Sequence, residues 1–420
     1  MNDLWADLDS RTVGQGRARR SRRLNEQIII STLRTWLLQD YAAAYCRSLA
    51  ATRIFRRCYW IDALGIERQN EAPAAQENGT QSAGKRRRAN ARETIPQALL
   101  PVAALSQQLA EADKPITLRG LLLSGGSSRR KATRPAHHEQ SLVLPKESGL
   151  VQASWLEAGP LLLKELEQSP AIFLLNPFGA STFTGEDLAP LCQRTVPTEL
   201  CLLIPHRQIA LLLQTARKAK QEERRQAVAT LLTSLLRSDR WKRLPEREEE
   251  EQQAVSGWLD LFCTALRRHF PFPVQRIALP FVAGSAHVEN APYSLLFATR
   301  RQDSLVSMND AVYHYHERVH AESRSGVLSE RWFAAQEQER HEQKLHQLQQ
   351  HVLQQGRTLR IRRWPDLRQQ LLLTQFGQFT LRDYDMLIQQ LLRDGEVRCE
   401  WRQRAVENDI PGNDDTLFWR

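Results

Sequence analysis

The stretch Ala171-Ile-Phe-Leu-Leu-Asn-Pro-Phe-Gly-Ala-Ser181 sets a polar side chain and a tight turn directly after an apolar run. An Asn-Pro-aromatic segment in that place suits methyl transfer to an amino group. The Asn176 side-chain oxygen and a neighbouring backbone carbonyl would accept hydrogen bonds from the nucleophilic nitrogen, while the Phe178 ring stacks on the substrate ring. Positioning is then the main catalytic contribution of the protein, because a cofactor brings the reactive methyl. On this reading Asn176, Pro177 and Phe178 are the catalytic candidates. The same residues also have a plainer use, in which Asn176 caps a local turn or the segment 183–188, and Pro177 and Gly179 only shape the backbone.

The cofactor half of such a site calls for a Gly-rich turn after the first strand and an acid after the second to hold the ribose hydroxyls. Here the first turn reads Asp62-Ala-Leu-Gly65-Ile-Glu67, with one glycine, and the second strand ends Leu121-Leu-Leu-Ser124-Gly125-Gly126 without an acid. Asp62, Gly65 and Ser124 would contact S-adenosylmethionine if a pocket of that type is retained; otherwise no cofactor is expected. His316 and His320 stand one helical turn apart, which supplies two of the three or four ligands that zinc uses, so no metal site is expected. The six cysteines contain no Cys-x-x-Cys pair and read as reduced thiols.

The elements that must position these residues follow from hydrophobic period and turn chemistry. Apolar residues recur at helical spacing from Leu24 to about Ala51, and CYWIDALGIE (58–67) reads as a short buried strand ending at Asp62. A helix over 95–111 precedes a second strand at 116–123, with weaker strand candidates at 142–144 and 150–151. A helix over 158–168 leads into the strand before Asn176. Beyond it come a strand at 198–205, a long helical region over 206–237, a helix over 254–268 and strand-like runs at 275–282 and 291–299. Strands alternating with helices predict an α/β, Rossmann-like and mostly parallel sheet. The last two runs, joined by a short polar segment, are placed to pair as an antiparallel edge.

Four domain segments follow. A basic leader (1–23) precedes an α/β domain (24–320) that carries an exposed insertion at about 70–93; a connecting helix (321–356) then leads to a module at 357–420. The module reads helix, turn, helix, strand, turn, strand, the order of a winged helix.

Taken in order, several of these stretches resemble the bacterial three-Cys-motif partner proteins, a family similar in fold to class I methyltransferases. The segments concerned are Tyr59-Trp-Ile-Asp62-Ala-Leu-Gly65, Asn176-Pro-Phe-Gly179, and Tyr293-Ser-Leu-Leu-Phe-Ala298 with Met308-Asn-Asp-Ala-Val312. Members have Asp-x-Phe-Ala-Gly-Pro-Gly, Asp-Pro-Phe-Gly, and an aromatic-Leu-Leu-Phe-Ala strand followed by Met-Asn-Asp at the corresponding places. The departures fall where cofactor would bind, a pattern that fits a degenerate, non-catalytic relative at least as well as an active enzyme. It also implies a protein partner encoded nearby, since the family takes its name from such a partner.

Charge supplies the remaining expectation. With 58 Lys and Arg against 48 Asp and Glu, the chain carries a formal +10, which favours phosphate-bearing partners. Candidate nucleic-acid contacts are Arg19, Arg20, Arg22 and Arg23 in the leader, Lys85, Arg86, Arg87 and Arg88 in the insertion, and Arg382 and Arg393 on the last helix. No apolar run approaches the length of a membrane span and no targeting segment opens the sequence, so a cytoplasmic protein is expected. Three functions remain open: a nucleic-acid-associated protein on a degenerate methyltransferase-like core, an active S-adenosylmethionine-dependent methyltransferase of a base or protein amine, and an adaptor for a genomically linked protein.

Overall fold

The structure, a computed structural model, describes residues 28–64, 97–124, 144–179, 182–279, 282–283, 286–287, 292–324, 330–402 and 409–420. The expected basic leader, the insertion at 70–93 and the strand candidates Leu142 and Val143 lie outside these residues.

Helix α1 (28–36) passes through a π-helical turn, Leu37–Ala42, into α2 (Ala43–Ala51). Then come β1 (Arg57–Ala63), α3 (Leu100–Ala110), β2 (Thr117–Leu123), β3 (Gly149–Val151), α4 (Trp155–Glu165), β4 (Ala171–Leu175), α5 (Gly185–Gln193) and β5 (Thr198–Pro205). They are followed by α6 (His206–Lys218), α7 (Glu222–Leu236), α8 (Glu251–Arg267), β6 (Gln275–Leu279), the two-residue strands β7 (Val282–Ala283) and β8 (Ala286–His287), β9 (Tyr293–Ala298) and α9 (Gln302–Arg324). The chain closes with α10 (Glu330–Leu359), α11 (Trp364–Thr374), α12 (Leu381–Arg393), β10 (Val397–Glu400) and β11 (Thr416–Trp419).

The protein is α/β, with a seven-stranded mixed sheet in the order β3-β2-β1-β4-β5-β9-β6. The pairs β2–β3, β1–β2, β1–β4 and β4–β5 are parallel, whereas β6 and β9 pair antiparallel, as the two late apolar runs imply. Strands β4 and β5 are buried along their whole length, which explains their near-continuous apolar sequences AIFLL and TELCLLIP. Strands covered on both faces have no reason to alternate.

The helical region expected over 206–237 is two helices. Arg217 and Lys218 close α6 and Glu222 and Glu223 open α7, so each end carries the charge that its dipole favours, and Ala219 between them is extended. The helix expected over 321–356 also differs. Its first residues belong to α9, and α10 runs on to Leu359.

Two compact units are present: one comprises the described residues up to Leu38 with Leu49–Leu202, the other Gln39–Ser48 with Leu203–Arg420. In the first, the centre of the core is Trp60, Ile61 and Phe173. Trp155 meets Phe173 edge-on with centroids 5.7 Å apart, and Arg194 lies over the same ring while donating to the carbonyls of Leu166 and Ser169 at 3.0 and 2.7 Å. In the second, Tyr41 packs edge-on against Phe297, while the rings of Trp258 and Phe262 are tilted by 33° with centroids 5.0 Å apart. The six cysteines are free thiols. Among the described residues no helix is long and apolar enough to cross a membrane.

Towards the C-terminus the expected order of helix, turn, helix and two strands is present. Trp419 and Leu417 of β11 also donate to the carbonyls of Ile361 and Arg362, at 2.8 and 2.7 Å, so the segment between α10 and α11 lies along the last strand. The turn between α11 and α12 is held from α9: Asn309 Oδ1 accepts from the Gly377 N–H, its Nδ2 donates to the Phe379 carbonyl, and Asp310 accepts from the Leu381 N–H.

Candidate functional site

The sheet brings three of the expected site residues to one edge. In the parallel register Asp62 lies beside Leu122 and Leu174, so Asp62, Ser124 and Asn176 stand at the carboxyl ends of the adjacent strands β1, β2 and β4. Strand order reverses between β1 and β4. Such a switch point is where open α/β sheets hold ligands, because the loops leave in opposite directions and open a crevice.

The polar groups described at this edge are paired within the chain. Asp62 is 2% exposed, and its carboxylate takes a bidentate pair of hydrogen bonds from Arg34 of α1, at 2.5 Å from Nε and 3.0 Å from Nη2. The Leu64 N–H adds a third donor at 3.1 Å. Arg34 is itself buried, and a fork geometry of this kind is the strongest way to neutralise a buried carboxylate. The Ser124 N–H donates to the Val151 carbonyl at 2.9 Å, extending the pairing of β2 with β3. Gly65, the fourth member of the expected cofactor set, lies outside the described residues.

The methyl-acceptor half is similarly engaged. Asn176 Oδ1 accepts from the Phe178 N–H at 2.9 Å, an Asx turn that locks the strand end. The Asn176 carbonyl takes the Gly179 N–H at 3.3 Å, and the Pro177 carbonyl takes the Phe183 N–H at 2.9 Å. Phe178 has 0% exposure and bridges to Thr182, so its ring offers no open face to a substrate. Of the two plain roles open to Asn176, the local turn is the one seen. The N-cap of the following helix α5 is Thr184, through a capping box with Asp187.

Outside this edge, Arg382 and Arg393 lie on the exposed side of α12. The apolar side of that helix buries Tyr384, Leu387, Ile388 and Leu391, while Arg382, Met386, Gln389 and Arg393 follow each other at three- and four-residue spacing along the opposite side. The acids within the helix are drawn off this stripe. Asp383 closes a capping box with Thr380, and Asp385 accepts from Trp364 Nε1 at 3.1 Å and from Arg368 at 2.5 Å. Arg19, Arg20, Arg22, Arg23 and Lys85, Arg86, Arg87 and Arg88 lie outside the described residues.

His316 is turned to the Ala278 carbonyl, 3.4 Å from its Nε2, and desolvation by burial pushes its pKa below the ordinary histidine value. Among the described residues no three His, Cys, Asp or Glu side chains come together as a metal group.

Sequence reasoning missed Arg34, the hydrogen-bond partner of Asp62. Its signal was a single charged residue inside the apolar stripe of α1, between Leu33 and Trp36, which are both buried. It also missed a cluster at the opposite edge of the sheet. There Arg119 Nη1 donates to the Tyr59 hydroxyl at 2.8 Å and pairs with Glu147, and the Tyr59 hydroxyl donates to Glu147 at 2.8 Å. The phenol's pKa is raised, chiefly by desolvation, and the hydrogen bond from Tyr59, with Arg119 nearby, holds the Glu147 carboxyl below its usual range.

No protein-family model, curated protein or solved structure matches the chain.

Proposed function

We propose that the chain is a nucleic-acid-associated protein, built on a methyltransferase-like core that no longer transfers methyl groups, and that it binds DNA or RNA through a C-terminal winged helix and its basic segments. The observation that carries the binding half is the stripe on α12 in which Arg382, Met386 and Arg393 are exposed and Gln389 is half-buried, while the helix's own acids are tied down elsewhere. In a winged helix the second helix of the helix-turn-helix enters the major groove, and β10 with β11 corresponds to the wing. Arginine forks at either end of the stripe suit phosphates or guanine edges, and Gln389 suits an adenine edge.

The non-catalytic half is supported by the hydrogen bonds that already engage the groups at the carboxyl edge. Arg34 occupies the carboxylate that a ligand would approach, and the acceptors around Asn176 are satisfied by backbone donors. A methyltransferase needs those groups free for ligand or substrate.

The test is a binding titration against duplex DNA and RNA over a range of salt. The expected outcome is a linear fall of log K with log salt, with Arg382→Ala and Arg393→Ala each reducing the slope by about 1. Absence of binding at low salt, or binding that ignores salt, overturns the nucleic-acid reading. Saturable heat on titrating S-adenosylmethionine would instead overturn the non-catalytic half and restore the methyltransferase alternative.

A further inference from the structure

We propose that the protein carries a second, separate site: a phosphate-binding pocket at the edge where β1, β2 and β4 begin, opposite the edge that holds Asp62 and Asn176. A cavity of about 340 Å³ there is lined by Arg56, Arg57 and Arg119, with Thr117, Ser169 and Phe55. Three arginines around one concavity concentrate positive charge there.

The arginines are placed by the fold. Arg119 leaves β2 on the face opposite Leu118 and Leu122, which are buried, and its register partner on β1 is Tyr59. Its guanidinium lies over that ring, 5.6 Å from the centroid, and Nη1 is held by the Tyr59 hydroxyl and Glu147. The opposite side of the fork is different: Nε is buried and has no hydrogen-bond partner among the described residues. Arg56 precedes β1 and Arg57 opens it; both are exposed, and the Thr117 N–H donates to the Arg56 carbonyl at 3.0 Å.

The acid nearest Arg119 does not cancel this charge. Glu147 is one carboxylate against three guanidinium groups, and it is already shared between Tyr59 and Arg119. Planar, bidentate donors of this type fit phosphate oxygens better than they fit a halide or an isolated carbonyl. The cavity exceeds what one phosphate fills and falls near the lower end of small-molecule sites, which run about 300 to 1,000 Å³. Phe55 and Ile54, the latter 75% exposed, give the lining an apolar part suited to the group that bears the phosphate. The ligand chemistry is therefore a phosphate on a nucleoside-sized carrier, either free or part of a strand.

Calorimetry on the full chain with inorganic phosphate, adenosine monophosphate and a short oligonucleotide lacking terminal phosphates tests this. The variants are Arg119→Gln and Arg57→Gln; the second changes an exposed side chain and keeps the test valid if the first does not fold. Saturable binding is expected, weakened about tenfold or more by Arg119→Gln and several-fold by Arg57→Gln. If the variants weaken only phosphate and the mononucleotide, the site takes free phosphates; if they weaken only the oligonucleotide, it takes a strand backbone. Wild-type protein that binds none of the three saturably, or folded variants that bind as wild type does, overturns the proposal. Neither variant touches α12, so this result stands apart from the salt titration of Arg382 and Arg393.

Discussion

Asn309 grips Gly377 across 68 residues of sequence: its Oδ1 accepts the Gly377 N–H at 2.8 Å, and its Nδ2 donates to the Phe379 carbonyl, also at 2.8 Å. Asn309 is fully buried, and both backbone groups belong to the turn between α11 and α12. With Asp310 accepting the Leu381 N–H at 2.9 Å, the Met308-Asn-Asp stretch is a latch that sets where α12 begins. Its residues therefore have a structural use that requires no ligand.

Replacing Asn309 with Ala leaves one N–H and one carbonyl buried without partners, a cost of about 2 to 4 kcal/mol localised at the turn. Hydrogen exchange measured by mass spectrometry is expected to show faster exchange over the peptide containing Gly377 and Leu381, with β1 and β4 unchanged. Uniform protection across both regions would show that the latch is dispensable.

Gly377 and Gly395 both have positive φ, +73° and +72°, yet substitution should affect them unequally. A Cβ at Gly377 would lie 2.3 Å from Val312 Cγ1, whereas at Gly395 the nearest atom is the flexible end of Arg420 at 3.6 Å. Gly395→Ala is expected to cost about 1 kcal/mol from backbone strain alone, and Gly377→Ala distinctly more because α9 must also move. Thermal melts of the two variants should differ in that order.

For the buried pair, removing one partner is expected to cost more than removing both. Arg34→Met strands the Asp62 carboxylate in the core and should destabilise the first unit by about 3 to 5 kcal/mol, and Asp62→Leu should do the same to Arg34. The double variant should recover most of the loss, since paired burial gains little over apolar packing. Urea titrations of the three variants, followed by tryptophan emission, check this through the coupling term.

Protonation of His316 should erode stability as the solution is acidified. Its folded pKa lies below the ordinary 6.5, through desolvation first and the nearby Lys344 charge second among the lowering causes, opposed by Glu317 and by hydrogen bonds to the Ala278 and Gly377 backbone. The unfolded chain therefore binds the proton more readily, so this contribution is complete above the unfolded value and is lost as pH falls from there towards the folded one. In His316→Gln the melting temperature should fall less between about pH 7 and about pH 5 than it does in the wild type. His269, also lowered by burial, remains in both proteins and cancels in the comparison.

Much of the scaffold is legible in the amino-acid order. The bounds of β5 agree with the apolar run 198–205, the late strands pair antiparallel as their short polar connection implied, and the C-terminal order of helices and strands is the expected one. Each of these depends on local period, length and turn chemistry. The division of 206–237 into two helices was legible in principle, because opposite charges face the break at Ala219, but the apolar spacing on either side masked it.

The sequence by itself determined the α/β class, most of the strand runs, the positions of Asp62, Ser124 and Asn176 at or near strand ends, and a net charge of +10, whereas the expected strand over 275–282 ends at Leu279. Only the tertiary structure decided what those strand ends contain. Arg34 meets Asp62 across 28 residues, Arg119 meets Glu147 across another 28, and Asn309 meets Gly377 across 68. No local pattern encodes such pairs. A charged side chain within an apolar stripe announces that it needs a partner, but which partner it finds depends on how strands and helices are brought together, and that is set by the burial of the whole core.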